Sequence, residues 1–372
     1  MRAARVRHVP KDARLPVPSG PAPARSSDAP ARDAPVVIAP NLKRRLSGVT
    51  ATIARLVPLQ ARAIAIRATG PGLPADTPHL ALWRVVLLPG RTPRVWHARR
   101  NLEMLAGLAL RHVLRKRFRL LFTSASQRRH TGYTRQLIAA MDRVVATSAR
   151  SAAYLERPAD VIHHGIDTRA FRPGDRAAAR ARLGLPAARL VGCFGRIRHQ
   201  KGTDLFVDAM LAVLDRHPDA HGLVLGRATA AHRAFEADLR DRVARAGAAG
   251  RIHFAGEVAV NAVADWYRAL DLFVAPQRWE GFGLTPLEAM ASGVPVLAAR
   301  VGAFDELVAD GATGRLLPRD DLPALVAALD DALGDGARLA AWGRAARAHV
   351  EARFTLEAEA ERLVAIYREM LR

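Results

Sequence analysis

Two glutamates, Glu280 and Glu288, flank a glycine-containing turn, and their spacing is the clearest sign of chemistry in this chain. The run 271–276 ahead of them is short and apolar, as a buried parallel strand would be. After the turn, Thr285 is predicted to cap a helix that begins at Pro286, with Glu288 at the third position of a capping box. This strand, loop and helix start would direct free backbone N–H groups at an anionic ligand above the sheet.

A second polar loop, residues 195–202, follows the predicted strand Leu190–Phe194 and opens another helix. Its cations, Arg196 and Lys201, are suited to neutralise the charge on a departing diphosphate. A solvated basic turn would contain the same residues, so the pattern alone leaves both interpretations open. The Walker A sequence Gly-x4-Gly-Lys-Ser/Thr is absent from the chain, so nucleotide hydrolysis on a P-loop is not expected.

The two segments together resemble the retaining glycosyltransferases of family 4. Residues 279–297 are similar to the family's Glu-x7-Glu signature and the Glu-Ala-Met-Ala-x-Gly-x-Pro-Val run that follows it. Residues 195–202 are similar to its Gly-Arg…Lys-Gly phosphate loop. The resemblance implies an α/β fold of the GT-B type, with two Rossmann-like domains facing a central crevice, and catalytic roles for Arg196, Lys201 and Glu280.

The resemblance also implies how a nucleotide-sugar donor would bind. Glu288 would accept hydrogen bonds from the ribose diol, and Glu280 would meet hydroxyls of the donor sugar. Residues 254–258 would contact the base, largely through backbone atoms. Backbone N–H groups of the turn would contact sugar and phosphate, and they belong to Phe282, Gly283, Leu284 and Thr285.

The loop 41–50, after the first predicted strand, resembles the glycine loop that faces the donor in this family. Gly48 would permit close approach of the backbone to the donor, and Ser47 is a candidate cap for the next helix. The loop also carries three consecutive cations that could bind acceptor phosphates or carboxylates, namely Lys43, Arg44 and Arg45.

Residues 96–101 and 124–130 resemble segments of lipopolysaccharide core mannosyltransferases within the family. His97 stands where the family often has a histidine near the transferred sugar, which makes it a catalytic candidate; a hydrogen-bonded strand-end histidine is the alternative. An anionic acceptor, such as a Kdo carboxylate on lipid A, would suit bidentate pairing with arginine. The acceptor-binding candidates are Arg99, Arg100, Arg128 and Arg129.

Charge is unevenly distributed along the chain, which carries a formal net charge of +22. Residues 1–200 contain 37 lysines and arginines against 10 acidic residues, and residues 201–372 contain 20 against 25. A basic first half predicts an anionic acceptor, an anionic membrane face or nucleic acid. Aromatic residues make up only 5% of the chain, so the stacking platforms of a nucleic-acid binder are not expected.

The domain organisation follows from the alternation of short apolar runs with helical stretches. Residues 1–34 are predicted to be a disordered basic tail, 35–175 an acceptor-binding domain and 186–350 a nucleotide-sugar-binding domain. Residues 351–372 are predicted to form a helix that packs back on the first domain. Leu80–Leu88 is predicted as a strand, and His163-His164 replace the Pro-Asn of a family segment expected at the domain join.

These features predict a retaining hexosyltransferase that moves mannose from GDP-mannose to a lipopolysaccharide core. No cofactor or metal is expected, because Asp-x-Asp is absent from the chain and Arg196 and Lys201 could replace a divalent ion. The expected location is cytoplasmic, with peripheral contact at an anionic membrane surface. A UDP-sugar donor remains an alternative, and a non-enzymatic nucleic-acid binder or a nucleotide-sugar epimerase is a more distant one.

Overall fold

The computed structural model describes residues 34–44 and 48–372. The predicted basic tail lies outside the described residues except for Ala34, and so do Arg45 and the proposed cap Ser47. Pro35–Arg372 form one compact unit.

The described residues of the first half of this unit form six strands and five helices. The strands are β1 (Val37–Pro40), β2 (Ile66–Thr69), β3 (Arg94–Ala98), β4 (Phe118–Ser124), β5 (Arg143–Ala146) and β6 (Asp160–Val161). The helices are α1 (Gly48–Gln60), α2 (Leu82–Leu87), α3 (Asn101–His112), α4 (Gly132–Ala139) and α5 (Ala149–Ala152). The strands pair in parallel in the order β2-β1-β3-β4-β5-β6.

The second half repeats this plan. Its strands are β7 (Arg189–Phe194), β8 (Ala220–Leu225), β9 (Ile252–Gly256), β10 (Leu272–Ala275), β11 (Val296–Ala299) and β12 (Gly314–Leu317). The helices are α6 (Arg176–Leu183), α7 (Thr203–Val213), α8 (Arg233–Arg245), α9 (Val263–Arg268), α10 (Thr285–Ala291), α11 (Phe304–Leu307), α12 (Leu322–Gly334), α13 (Gly336–Arg353) and α14 (Leu356–Leu371). The sheet is parallel in the order β12-β11-β10-β7-β8-β9.

Both faces of each sheet are buried, as expected for parallel sheets covered by helices. Along β1, Val37 and Ala39 belong to one apolar cluster, whereas Ile38 between them belongs to another. This alternation follows from the strand's two-residue period, which points successive side chains to opposite faces. Two further clusters cover the second sheet in the same manner.

The chain returns to the first half at its C-terminus. Ile166 forms a parallel bridge with Thr355, in which Ile166 N donates to Phe354 O at 2.8 Å and Leu356 N donates to Ile166 O at 3.0 Å. Helix α14 then packs against α1 and β3, so its apolar side chains complete the core on one face of the first sheet.

The strand predicted over Leu80–Leu88 is wrong. The chain makes only a bridge with β2, where Leu80 N donates to Ala68 O at 2.8 Å, and then turns into helix α2. A strand inside a covered sheet would bury the guanidinium of Arg84 without a partner, which is costly. The helix instead leaves Arg84 exposed and buries Val85 as its single core side chain.

Within the described part of the chain, no helix has the length and apolar character needed to cross a membrane.

We expect Gly165→Ala to destabilise the protein by roughly 1–3 kcal/mol, the usual cost of overpacking. A Cβ at this position would lie 2.2 Å from the carbonyl oxygen of Thr355, so the returning chain would have to move. Gly132→Ala is the matched control, because a Cβ there meets nothing within 4 Å in the first turn of α4. Urea unfolding midpoints of both variants measure the difference, and equal midpoints would contradict the close approach.

Candidate active site

A cavity of about 560 Å³, here called the crevice cavity, lies between the two halves of the compact unit. Segments that follow the carboxyl ends of strands in both sheets line it, as the rule for ligand sites in open α/β sheets requires. His97 and Thr123 come from the first sheet, and Lys201 and Glu280 come from loops of the second. Helix α14 adds Glu359.

Lys201 and Glu280 form an ion pair in the crevice cavity, with Lys201 Nζ donating to Glu280 Oε2. The pair joins the loop after β7 to the turn after β10, and both side chains are largely buried. The second carboxylate oxygen of Glu280 accepts from Gly281 N at 3.0 Å. The sequence placed these two groups 79 residues apart, and the fold brings them into contact at the cavity wall.

The turn after β10 depends on Gly283, whose φ of +93° lies in the left-handed region. A Cβ there would lie 2.1 Å from the ring of Phe304, so only glycine fits. The turn also touches the first half, because Gln127 Nε2 donates to the Gly281 carbonyl at 2.7 Å. The predicted donor-contacting residues of this turn line the crevice cavity, namely Phe282, Gly283, Leu284 and Thr285.

The predicted capping box at the start of α10 is wrong. The helix begins at Thr285, its N-cap is Leu284, and no side chain caps it. Glu288 turns away from the helix end, and its carboxylate instead accepts a hydrogen bond of 2.8 Å from the hydroxyl of Tyr267. The carboxylate therefore does not bond the backbone at the helix start, and it lines a neighbouring cavity instead.

That neighbouring cavity, here called the side cavity, has a volume of about 450 Å³ and is lined by Arg196, Tyr267, Thr285 and Glu288. Thr285 lines the crevice cavity as well, so the two cavities adjoin. The Arg196 side chain is exposed and has no hydrogen-bond partner among the described residues. A single ligand with a polar ring at each end and two anionic groups between the rings could therefore extend from Glu280 to Glu288.

Burial is the main influence on the pKa values of two residues that line the side cavity, Glu288 and Tyr267. It raises the pKa of Glu288 above its ordinary 4.5, although the Tyr267 hydroxyl and the charge of Arg55 act in the opposite direction. Burial, with the nearby Glu288 carboxylate, also raises the pKa of Tyr267 well above 10.0, so the tyrosine stays a proton donor. Sequence reasoning missed Tyr267, because nothing along the chain links it to a carboxylate 21 residues later.

His97 lines the crevice cavity from the end of β3 and is fully buried among protein atoms. Its Nδ1 lies 2.6 Å from the hydroxyl of Tyr367, and its Nε2 lies 2.7 Å from Thr123 Oγ1. Burial first, and then the charge of Arg99, holds the pKa of His97 well below its usual value, so the ring is neutral. Arg99 Nη2 also lies 3.3 Å from Nδ1. A sugar hydroxyl can therefore bond this ring only by replacing one of these partners.

Arg99 and Arg100 line the crevice cavity, but a buried carboxylate missed in the sequence anchors the segment that carries them. Glu103 accepts 2.8 Å and 2.9 Å hydrogen bonds from Arg99 N and the Arg100 side chain. Arg100 also donates to Asn41 Oδ1 at 2.9 Å, which ties it to the loop after β1. Arg99 thus remains the better placed of the two to meet an acceptor, because Glu103 already neutralises the Arg100 side chain.

The other predicted acceptor-binding cations lie outside both cavities. Lys43, Arg44, Arg128 and Arg129 are exposed on loops of the first half and are absent from the linings of the crevice and side cavities. Gly48, the predicted donor-facing glycine, begins α1 and lines the crevice cavity, with open space where a Cβ would stand.

His163 and His164 lie at the join of the two halves, as predicted. His163 Nε2 lies 2.8 Å from Glu306 of the second half, and His164 Nδ1 lies 2.8 Å from Glu359 of α14. Both rings contact Phe282 of the turn after β10. Across residues 34–44 and 48–372, no three His, Cys, Asp or Glu side chains are grouped to hold a metal ion.

We expect Glu288→Gln to raise the thermal midpoint of the ligand-free protein at neutral pH. A carboxyl whose folded pKa exceeds its unfolded pKa destabilises the fold once pH rises above the unfolded value, 4.5 for Glu288. The amide removes that cost, so the variant's advantage should shrink as pH falls to about 4. Thermal midpoints measured between about pH 4 and pH 7 provide the comparison.

Glu306→Gln is the control of opposite sign. Although burial acts to raise it, the Glu306 pKa is lowered by hydrogen bonds from Ala149 N, His163 and Arg150 N. This carboxylate therefore stabilises the fold above its unfolded pKa, and that contribution is lost as pH falls through the folded pKa. Its amide should lower the midpoint at neutral pH; a change of the same sign in both variants would show that burial does not govern Glu288.

Comparison with known proteins agrees with the fold. The family model described as "Glycosyl transferases group 1" matches residues 188–335. A solved structure of HepE from Anabaena in complex with UDP is similar to this chain with a TM-score of 0.78, covering 90% of this chain and 99% of that one. At 18% identity this likeness concerns the fold alone, and it confirms the predicted GT-B architecture.

Two relatives align with nearly their whole length. The chain is 55% identical to the lipopolysaccharide core biosynthesis mannosyltransferase LpsB of Rhizobium meliloti, over 90% of this chain and 98% of the relative. It is 52% identical to the lipopolysaccharide core biosynthesis mannosyltransferase LpcC of Rhizobium leguminosarum bv. viciae, over 90% and 96%. With this identity across both halves, the protein is a glycosyltransferase and belongs to the glycosyl transferases group 1 family.

Proposed function

We propose that the protein transfers mannose from GDP-mannose to a sugar hydroxyl of a lipopolysaccharide core, with retention of anomeric configuration. This proposal rests on sequence identities of 55% and 52% to two lipopolysaccharide core mannosyltransferases along almost their full lengths. The geometry of the two adjoining cavities supports it, because their charged groups suit the successive parts of a nucleotide sugar.

The donor would lie across the two cavities. Its ribose diol would hydrogen-bond the Glu288 carboxylate in the side cavity, and its diphosphate would lie between Arg196 and Lys201. Its mannose would enter the crevice cavity, where Glu280 meets sugar hydroxyls. Lys201 and Glu280 contact each other in the ligand-free protein. The anionic diphosphate would compete with Glu280 for the ammonium group and release the carboxylate towards the sugar.

The transfer step uses the substrates' own groups. The acceptor hydroxyl oxygen bonds the anomeric carbon on the face from which the diphosphate leaves, while the bond from that carbon to the diphosphate oxygen breaks. The departing diphosphate oxygen takes the acceptor's proton. Arg196 and Lys201 stabilise the charge that develops on the diphosphate, an electrostatic role that requires no metal ion.

The acceptor would approach from the first half. Arg99 lines the crevice cavity, and its Nη1 donates to the His97 carbonyl at 3.2 Å. An acceptor carboxylate would pair with this guanidinium, as planar bidentate recognition favours. Arg128 and Arg129 are exposed on the loop whose Gln127 contacts the turn after β10, and would add longer-range attraction for an anionic core.

A donor screen tests this function directly. The full chain is incubated with GDP-mannose, UDP-glucose and other GDP- and UDP-sugars together with deacylated core oligosaccharide, and products are identified by mass spectrometry. We expect a mass increase of one hexose with GDP-mannose. Product from UDP-glucose and none from GDP-mannose would overturn the donor assignment.

We expect Lys201→Ala to lower kcat by about 10²–10³-fold, the usual effect of removing one preorganised group that stabilises developing charge. Lys201→Arg should recover part of the loss because it keeps the positive charge. Arg233→Ala is the control, since Arg233 is an exposed cation on α8 and lines neither cavity. Steady-state rates measured with saturating donor give kcat for each variant. An unchanged kcat in Lys201→Ala would refute the role of Lys201 in stabilising the departing diphosphate.

A further inference from the structure

Helix α3 presents an apolar side to solvent. Its single acidic residue, Glu103, is buried, whereas Leu102 and Leu105 are exposed. Val113, directly after the helix, is 75% exposed. Residues 102, 105, 109 and 113 follow helical spacing and therefore share one side. The outer side of a surface helix normally carries polar residues, so this exposed apolar side is expected to contact a partner rather than solvent.

Helix α2 extends the same surface. Trp83 and Leu87 are 60% and 70% exposed. Its buried Val85 joins α3's Met104 and Leu110 in one apolar cluster, so both helices cover the same face of the first sheet. We call the exposed apolar residues of this surface the apolar strip, and they are Leu82, Trp83, Val86, Leu87, Leu102, Leu105, Val113 and Leu114.

The two ends of these helices are also joined directly. Lys116 Nζ donates to the Leu88 carbonyl at 2.5 Å, and Arg117 N donates to the Gly90 carbonyl at 2.9 Å. These bonds bring the end of α2 next to the turn after α3. The exposed apolar residues of the two helices therefore adjoin where the helices end, and exposed apolar surface that extends over neighbouring elements marks an interaction site.

The rim of the apolar strip is cationic. Arg84, whose guanidinium lies 5.1 Å from the Trp83 ring centre, is exposed between the apolar residues of α2. Glu103 is the single acidic residue between positions 80 and 119, and it is buried. Four more exposed cations lie on the segments that follow α2 and α3, namely Arg91, Arg115, Arg117 and Arg119. The partner must therefore combine an apolar interior with an anionic surface.

We propose that the apolar strip docks the protein on a lipid bilayer whose surface carries anionic headgroups. Exposed tryptophan and leucine side chains would enter the boundary between headgroups and acyl chains, while the arginines would pair with lipid phosphates. A second copy of the chain fits less well, because a symmetric pairing would oppose cations to cations. Residues 1–33, with 7 basic and 3 acidic residues, have the same sign of charge as the rim.

One end of the strip lies next to the crevice cavity. Docking would therefore bring that cavity to the membrane surface, a role separate from the transfer chemistry proposed above. Arg99 and Arg100, which line that cavity, lie directly before α3. Asn101 Nδ2 donates to Thr134 Oγ1 at 2.8 Å, which places the start of α4, with its exposed Tyr133, beside the start of α3. A membrane-anchored acceptor would thus meet the cavity with the enzyme lying on the same bilayer.

Flotation of the full chain with vesicles tests the docking. The vesicles contain phosphatidylcholine alone or with about one third phosphatidylglycerol. We expect binding to the anionic vesicles and at least tenfold weaker binding to the neutral ones. The triple variant Trp83→Ser, Leu87→Ser, Val113→Ser should bind the anionic vesicles at least tenfold more weakly than the unaltered chain. Val260→Ser, at a position 91% exposed in the second half, is the matched control and should bind normally.

Further measurements on the triple variant separate the possible outcomes. Thermal midpoints establish that the triple variant is folded, and transfer to the deacylated, water-soluble acceptor should stay unchanged in it, while transfer to vesicle-embedded acceptor falls. Vesicle binding by the triple variant equal to that of the unaltered chain would overturn the docking, as would a dimer by sedimentation that the variant dissociates. A chain that binds anionic vesicles through the strip but transfers no sugar would refute the proposed function and leave the docking standing.

Discussion

The contact between Lys201 and Glu280 is the interaction on which the arrangement of the site depends. It holds the loop after β7 against the turn after β10, two neighbouring strands of the second sheet. Parallel strands put both loops at one edge of the sheet, and the left-handed Gly283 lets the turn close tightly over Phe304. A cation and a carboxylate that neutralise each other in the ligand-free protein can each find a new partner when a phosphorylated sugar enters. The ion pair thus holds both side chains at the cavity wall in the ligand-free protein and leaves each able to bind the ligand instead.

The two halves meet through several further contacts. Gln127 bonds the turn after β10, His163 and the start of α5 bond Glu306, and α14 crosses back to bury its apolar side against α1. Glu359 on α14 holds His164 and Gly165 N, so the returning helix also shapes the crevice cavity. The C-terminal helix therefore belongs to the site as well as to the core, because Glu359 and Leu363 line the crevice cavity while the helix packs on α1 and β3.

The sequence predicted those parts of the site that depend on local motifs. Arg196, Lys201, Glu280 and the turn 282–285 line the expected cavities, since a glycine turn after a buried strand has few possible geometries. It did not predict the direction of the Glu288 side chain, because local spacing favoured a helix cap whereas Tyr267, distant in sequence, offered a buried hydrogen bond. The same limit applies to Glu103, whose burial and partners arise from tertiary packing. Leu80–Leu88 illustrates the opposite error, since apolar residues that favoured a strand lie on a helix whose outer side is exposed.

A crystal structure of the full chain with GDP-mannose bound would show directly how Lys201 and Glu280 exchange partners. We expect the diphosphate within hydrogen-bond distance of Lys201 Nζ and Arg196, the ribose diol on the Glu288 carboxylate, and Glu280 turned from Lys201 to the mannose hydroxyls. A nucleotide bound elsewhere, or a diphosphate in the crevice with the Lys201–Glu280 contact unbroken and no cation on its oxygens, would contradict this expectation.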